Sequence, residues 1–394
     1  MLLRRKQIPR TLKAAISQQP SHARLEIPAL TGLRGVAALW VLVFHAWQFA
    51  GAPPCSPFGI PLSSLLGSGW MGVDLFFVLS GFLLGAPFAQ ARREGRPTPD
   101  LARFWRRRIG RVLPAYWGQL LILAGIACWA SGQWPMTAIE TLAQFTLTQN
   151  LLPVFREPLN PVHWSLPVEW DFYLLLPLLA LPWRRLNWWQ ALAAAMVFSL
   201  LWRLACVVVV EHWQADGIRF YTTILQFPSR VDEFAAGMAA GMLAGQIRAR
   251  SAGWLVTAGS VIVVALAFAL SGVGDFISGM RMPWVYSVYS VLAVGFGMVV
   301  LGAAAGNRWI RHLLANPPLR AAGIISYSLY LWHYPILEWL RAAGWIGPEA
   351  GFTVTVSLTL AASAAVSTLS WWLLERPFHA PPRRPASAPE RPQP

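Results

Sequence analysis

The sequence predicts an all-α fold, a polytopic membrane helix bundle of about ten transmembrane helices with both termini in the cytoplasm. Three observations carry that expectation. Of 394 residues, 56% are hydrophobic and only 12% are charged, too apolar a balance for a soluble protein of this size. Apolar runs long enough to cross about 30 Å of hydrocarbon as helices recur along the whole chain. Positive charge is one-sided: 25 of the 32 Lys and Arg fall in the two tails and the even-numbered connections. On the opposite side stand Arg156, Arg219, Arg281 and Arg341. Such asymmetry is the positive-inside signature, so the net charge of +15 reads as topogenic and argues against nucleic acid as a partner.

Residues 1–25 form a basic cytoplasmic tail without an apolar core, so no cleavable signal peptide is expected. The first span, about 28–50, carries Arg34 and His45 within IPALTGLRGVAALWVLVFHAWQFAG. The second, about 68–89, runs inward with Asp74 near its outer end. The connection 90–111 holds eight arginines, Arg108 and Arg111 among them, and leads into the third span, about 112–130. Residues 137–152 and 211–228 read as half-buried or surface helices rather than crossings. The fourth span, about 163–183, opens HWSLPVEWDFY, and the fifth, about 188–210, opens on Trp188 and Trp189. The sixth, about 229–247, opens with Arg230, Asp232 and Glu233. Spans seven to ten cover about 252–271, 284–305, 321–341 and 351–373. Trp183, Trp188, Trp189, Trp371 and Trp372 sit at predicted inner span ends, where interfacial anchors belong. Residues 26–379 thus read as one membrane domain, with no internal repeat. The proline-rich tail 380–394 is too polar to bury a core. Cys55, Cys128 and Cys206 show neither metal spacing nor an even count, so no metal site or disulfide framework is expected.

Ionisable groups inside such spans are costly and face an interior or a wet cavity. Arg34 and His45 are eleven residues apart, three turns plus about 20°, so they share one helix face about 16 Å apart. Counting rise per residue, His45 lies ~8 Å below the outer end of its span, Asp74 and Glu169 ~9 Å, and His333 ~12 Å. Arg230 opens the sixth span at the outer face. A histidine beside a carboxylate is a good general base, because the carboxylate fixes the tautomer and stabilises the imidazolium. Glu169 is the first choice for that partner and Asp74 the second. The bland alternative is that His45 and Glu169 pair as buried polar glue. Arg108 and Arg111, three apart on one face, have two readings as well. They set topology or touch headgroups, or with Arg34 they hold a polyphosphate at the inner surface.

The motifs, taken together, resemble those of the acyltransferase-3 family of integral-membrane acyltransferases over about residues 25–379. Arg34 and His45 match its arginine–ten residues–histidine signature. GVDLFFVLSGFLLG is similar to its second-span motif, with Asp74, Ser80 and Gly81, and RRIGRVLPAY to its inner arginine motif, with Arg108 and Arg111. HWSLPVEWDFYLLLP supplies Trp164, Ser165 and Glu169, and SRVDEFAAG supplies Arg230, Glu233 and Gly237. ISYSLYLWHYP supplies Ser326, Tyr327, Tyr330 and His333, and LLERPF the terminal motif with Glu375, Arg376 and Pro377. Seven matches in order make the resemblance specific.

The resemblance implies a multi-pass O-acyltransferase of the bacterial cytoplasmic (inner) membrane. Its co-substrate is acyl-CoA, most simply acetyl-CoA, with no tightly bound cofactor. The implied acceptor is a carbohydrate, such as an envelope polysaccharide or a lipid-linked sugar. Alternatives are a small glycosylated metabolite of macrolide type or a lipo-oligosaccharide. Expected partners are membrane lipid and glycan-assembly proteins; longer members of the family add a soluble esterase-like domain, and any second catalytic module is expected to be a separate protein. In this reading Arg34, Arg108 and Arg111 engage the CoA phosphates, while His45 deprotonates the acceptor or takes the acyl group itself. Ser165, Trp164, Arg230, Tyr330 and His333 are candidates for the acceptor and oxyanion sites. Two other classes are a polytopic glycan or acyl transporter, which usually shows repeats and broken helices, and an inactive scaffold.

Overall fold

The computed structural model describes residues 27–151, 159–212, 225–271 and 285–379. Both expected tails and most of the expected 211–228 surface helix lie outside the described residues. Among these residues all regular structure is helical, without strands. The elements are α1 (Pro28–Phe49), α2 (Ser63–Gly67), α3 (Met71–Ser80), α4 (Ala86–Arg93), α5 (Leu101–Ser131), α6 (Ala138–Thr146), α7 (Ser165–Leu179) and α8 (Trp188–His212). They continue with α9 (Val231–Leu243), α10 (Ala249–Ser271), α11 (Val285–Ala305), α12 (Arg308–Leu314), α13 (Pro317–Ile324), α14 (Ser326–Ala342), α15 (Gly351–Ser370) and α16 (Arg376–His379).

Local chemistry sets the boundaries. Asp100 caps α5 by accepting from the Arg103 N–H at 3.1 Å, and Gly132 ends it at φ 73°. Thr137 and Glu140 form a capping box that starts α6, a short half-buried helix as expected for 137–152. A π-helical turn, Gly81–Gly85, joins α3 to α4, and another, Trp371–Glu375, joins α15 to α16.

Each of the ten expected spans contains a helix, and seven are long and apolar enough to cross a membrane: α1, the continuous 71–93 and 351–378 segments, α5, α8, α10 and α11. The other three, α7, α9 and α14, have 15, 13 and 17 residues. Their first turns explain the shortfall. Pro161–Trp164 precedes α7 and Phe227–Arg230 precedes α9 as 3₁₀ turns. Pro161 and Pro228 each lack the N–H that an earlier α-turn would use. A break at Ile325 separates α14 from α13. These three helices carry Ser165, Glu169, Glu233, Tyr330 and His333.

Close crossings lock the short helices to the long ones. A Cβ on Gly81 would strike the Phe234 carbonyl, and one on Gly237 would strike the Val78 carbonyl. Only glycine permits that reciprocal approach of α9 to the second span. Phe172 of α7 stacks on Phe234 of α9, with ring centroids 4.1 Å apart. α1 lies against α3, α13, α14 and α15 and so runs through the centre of the site.

Candidate active site

α1 and α14 bring the two in-span histidines together: His333 Nε2 lies 3.1 Å from His45 Nδ1. The tautomers follow from their other partners. His333 Nδ1 is 2.7 Å from the Tyr330 carbonyl oxygen, which can only accept, so Nδ1 carries the proton. In a neutral ring its Nε2 is then an acceptor. His45 Nδ1 also faces a carbonyl, that of Val41 at 3.1 Å, so it too is protonated and donates toward His333 Nε2. The lone pair of the neutral pair therefore falls on His45 Nε2, which makes no hydrogen bond among the described residues. His333 is 1% exposed while His45 is only half-buried. The outer ring is the reachable one. Edge-on contact with Tyr334, centroids 5.2 Å apart, and Phe44 at 4.8 Å fix its plane.

Neither carboxylate expected beside His45 bonds to it. Glu169 Oε1 accepts from Ser80 Oγ at 2.8 Å and from Tyr173 OH at 2.5 Å. It shares an electrostatic neighbourhood with Arg34 and Arg108 instead. Asp74 Oδ1 accepts from Arg230 Nη1 at 2.8 Å, deep in a different seam. Depth along a helix was readable from sequence, but rotation about the bundle axis was not. Tyr173 had a signal, since it follows Glu169 by four residues on one helix face.

The three arginines of the expected polyphosphate site do share one region. Arg34 Nε and Nη2 reach Ser326 Oγ at 3.3 and 3.2 Å, and its guanidinium lies 5.8 Å from the Phe76 ring centroid. Two of its five N–H groups are thus used and three remain among the described residues. Arg108 stands 5.9 Å from the Tyr173 ring, with its Nε buried and unpartnered. Arg111 makes no hydrogen bond or ion pair among the described residues, and Glu375 and Arg34 are its electrostatic neighbours. Glu375 itself accepts from Ser328 Oγ at 2.6 Å. A positive surface with spare donors results.

Between this cluster and the histidines stand Phe76 and Tyr330, whose rings lie 6.3 Å apart. Tyr330 donates its hydroxyl proton to the Val162 carbonyl at 2.8 Å, and Ser165 Oγ is 2.7 Å from that hydroxyl. Both are therefore occupied in tying α14 to the start of α7. Trp164, whose indole N–H has no partner among the described residues, faces Phe77 and the Arg230 guanidinium, the latter at 5.8 Å.

Arg230 is committed elsewhere. Its Nη1 donates to Asp74 and to Glu233, each at 2.8 Å, and its guanidinium covers Tyr289 at 3.9 Å. A second pair, which sequence reasoning did not assemble, lies on the other face of that seam. Arg203 Nη2 holds both Asp232 oxygens at 2.9 Å, and also bonds the Ser229 carbonyl, while Ser290 Oγ donates to Asp232 Oδ2 at 2.6 Å. A lone arginine within span five and an unexplained aspartate in span six were the available signals. His163 was also missed: its Nε2 meets Gln119 Oε1 at 2.9 Å, a buried tie between α5 and the turn before α7.

Residues 27–375 match the model of a family described as an acyltransferase domain. The chain is similar to "O-acetyltransferase OatA" of Staphylococcus aureus, 24% identical over 376 residues, 89% of this chain and 57% of that protein. It is 23% identical to "Peptidoglycan O-acetyltransferase OatA" of Listeria monocytogenes over 338 residues, 80% of this chain and 50% of that protein. A putative O-acetyltransferase of Staphylococcus aureus is 24% identical over 374 residues, 89% of this chain and 57% of its own. The chain thus spans about half the length of the curated relatives it matches. No solved structure matches it.

Proposed function

Because the chain belongs to the acyltransferase-3 family, we propose that it is a multi-pass O-acyltransferase of a bacterial inner membrane, moving an acetyl group from cytoplasmic acetyl-CoA to a carbohydrate hydroxyl. Relatives named as O-acetyltransferases support acetyl, and the one named for peptidoglycan supports an envelope polysaccharide as acceptor. The proposal includes ten crossings with both termini inside. It rests chiefly on one observation: His45 and His333 lie within hydrogen-bond distance, each with Nδ1 against a backbone carbonyl, and His45 Nε2 meets no partner among the described residues, on the same helix as Arg34.

His45 Nε2 takes the proton of the acceptor hydroxyl as its oxygen attacks the thioester carbonyl. The positive charge that arises on His45 is shared through Nδ1–H with His333 Nε2. The C–S bond then breaks, and the proton passes from His45 to the departing thiolate. Arg34, Arg108 and Arg111 hold the CoA phosphates with donors not already spent on protein. Trp164 offers an unspent N–H for the oxyanion, whereas Arg230, Tyr330 and Ser165 maintain the walls. Asp74 and Glu169 support those walls rather than the base. His333 is a positioning residue, so His333→Gln is expected to lower kcat by about 10–100-fold with KM for acetyl-CoA unchanged.

Purified full chain in lipid nanodiscs, given acetyl-CoA and a soluble glycan, is expected to form an O-acetyl ester detectable by mass spectrometry. Ester formation that persists unchanged in His45→Ala would remove His45 from the chemistry. Capture of an acyl-histidine with donor alone would replace direct transfer by a two-step route.

A further inference from the structure

The lipid-facing side of the bundle carries a groove of about 470 Å³ between α7, α8 and α9. Its walls are apolar throughout, including Leu178 and Leu179 of α7, Ala194 and Phe198 of α8, and Phe234 and Met238 of α9. Leu178 and Phe198 are 61% and 49% exposed, so the groove opens sideways toward the bilayer. From Ala191 to Phe198 it follows seven residues of α8, about 10 Å of helix. Its inner end is Pro182–Trp183, and the chain leaves that point through exposed Arg184 and Arg185. The same turn is tied to the basic end of α4, where Arg93 Nη2 approaches Asn187 Oδ1 at 3.5 Å. Arg92 adds a buried Nε without a partner.

An apolar trough whose end runs into Arg184 and Arg185, with Arg93 tied to the same turn, matches an amphiphile with an anionic head and a hydrocarbon tail. We propose that the groove is a binding site for one anionic phospholipid of the inner leaflet, with an acyl chain along α8 and its phosphate at Arg92, Arg93, Arg184 and Arg185. Its back wall is Phe234, stacked on Phe172 and in contact with Phe77, which in turn touches Trp164. The bound chain therefore supports the two short helices that begin at the site from their lipid side. It is separate from the proposed acyl-CoA position among Arg34, Arg108 and Arg111.

The test is lipid retention by the full chain, independent of any acyl transfer. Protein is purified from nanodiscs containing phosphatidylglycerol and phosphatidylcholine in equal amounts, washed in detergent, and weighed by native mass spectrometry. One phosphatidylglycerol is expected to remain, preferred at least ~tenfold over phosphatidylcholine, as expected for arginines beside an anionic headgroup. Ala194→Trp, which fills the trough from its exposed wall, is expected to abolish retention while the protein stays monodisperse. Ala195→Leu is the milder filling variant should the first fail to fold, and is expected to reduce retention. Arg184→Gln with Arg185→Gln is expected to keep a bound lipid but erase the preference. Equal retention of both lipids by the unaltered chain, or full retention in a filled and folded variant, overturns the proposal. Displacement of the lipid by a long-chain acyl-CoA or a polyprenyl phosphate also overturns it, by assigning the groove to a substrate.

Discussion

Two groups of polar side chains lie inside the bundle, and they differ in how much of their hydrogen-bonding capacity is already spent. Around Tyr289, Arg203 is closed against Asp232, both fully buried and held at 2.9 Å, while Arg230 bonds Asp74 and Glu233 at 2.8 Å through Nη1 and keeps a buried Nε without a partner. Along α1, Arg34 has a single hydroxyl partner, Arg111 has none among the described residues, and His45 Nε2 is unoccupied. A buried charge pair with satisfied partners resists change, because separating it leaves an uncompensated charge in a poor solvent. A half-buried group with capacity in reserve is free to meet a ligand or reactant. The first arrangement builds a wall, and the second awaits a substrate.

The largest expected effect falls on the second group. His45→Ala should lower kcat/KM by about 10⁴-fold, roughly 5 kcal/mol at the upper end of general-base catalysis, without moving the melting temperature. Next comes the closed group. Asp232→Ala should destabilise the protein by about 3–5 kcal/mol, read as a lower unfolding temperature in detergent. The double change Arg203→Met with Asp232→Leu should recover most of that loss. A thermal effect for His45→Ala, or none for Asp232→Ala, would erase the distinction between the regions. Arg34→Ala should raise KM for acetyl-CoA by about 10–100-fold, the worth of charge-assisted hydrogen bonds, with kcat little changed. The smallest expected effect is that of Glu169→Gln, under about tenfold in kcat, since the amide oxygen still accepts from Ser80 and Tyr173. A loss as large as that of His45→Ala would restore Glu169 to the base.

The division between legible and illegible features is clear residue by residue. Each apolar run expected as a span holds a helix, and seven of those helices are long and apolar enough to cross a membrane, because burial in hydrocarbon demands continuous apolar sequence. The alignment of Arg34 with His45 came from helical periodicity and holds within α1. The pairing of His45 with His333 did not, since the spacing of residues 288 positions apart carries no information about helix rotation. Depth placed Glu169, Asp74 and His333 in one slab, yet the structure sorts them into three neighbourhoods. The prolines at 161 and 228 were visible, but the 3₁₀ turns they sit in, which shorten α7 and α9, were not expected from them.

By itself, then, the sequence determined that this chain is a helical membrane protein of the acyltransferase-3 family, and which residues carry its unusual polarity. Periodicity, hydropathy and charge asymmetry are local properties, so one strand of letters suffices for them. Only the tertiary structure decided who faces whom. Carbonyls of Tyr330 and Val41 fix the protons of two rings, and glycine crossings bring α9 against the second span. Those contacts depend on the rotation and packing of helices distant in sequence, which no local pattern encodes.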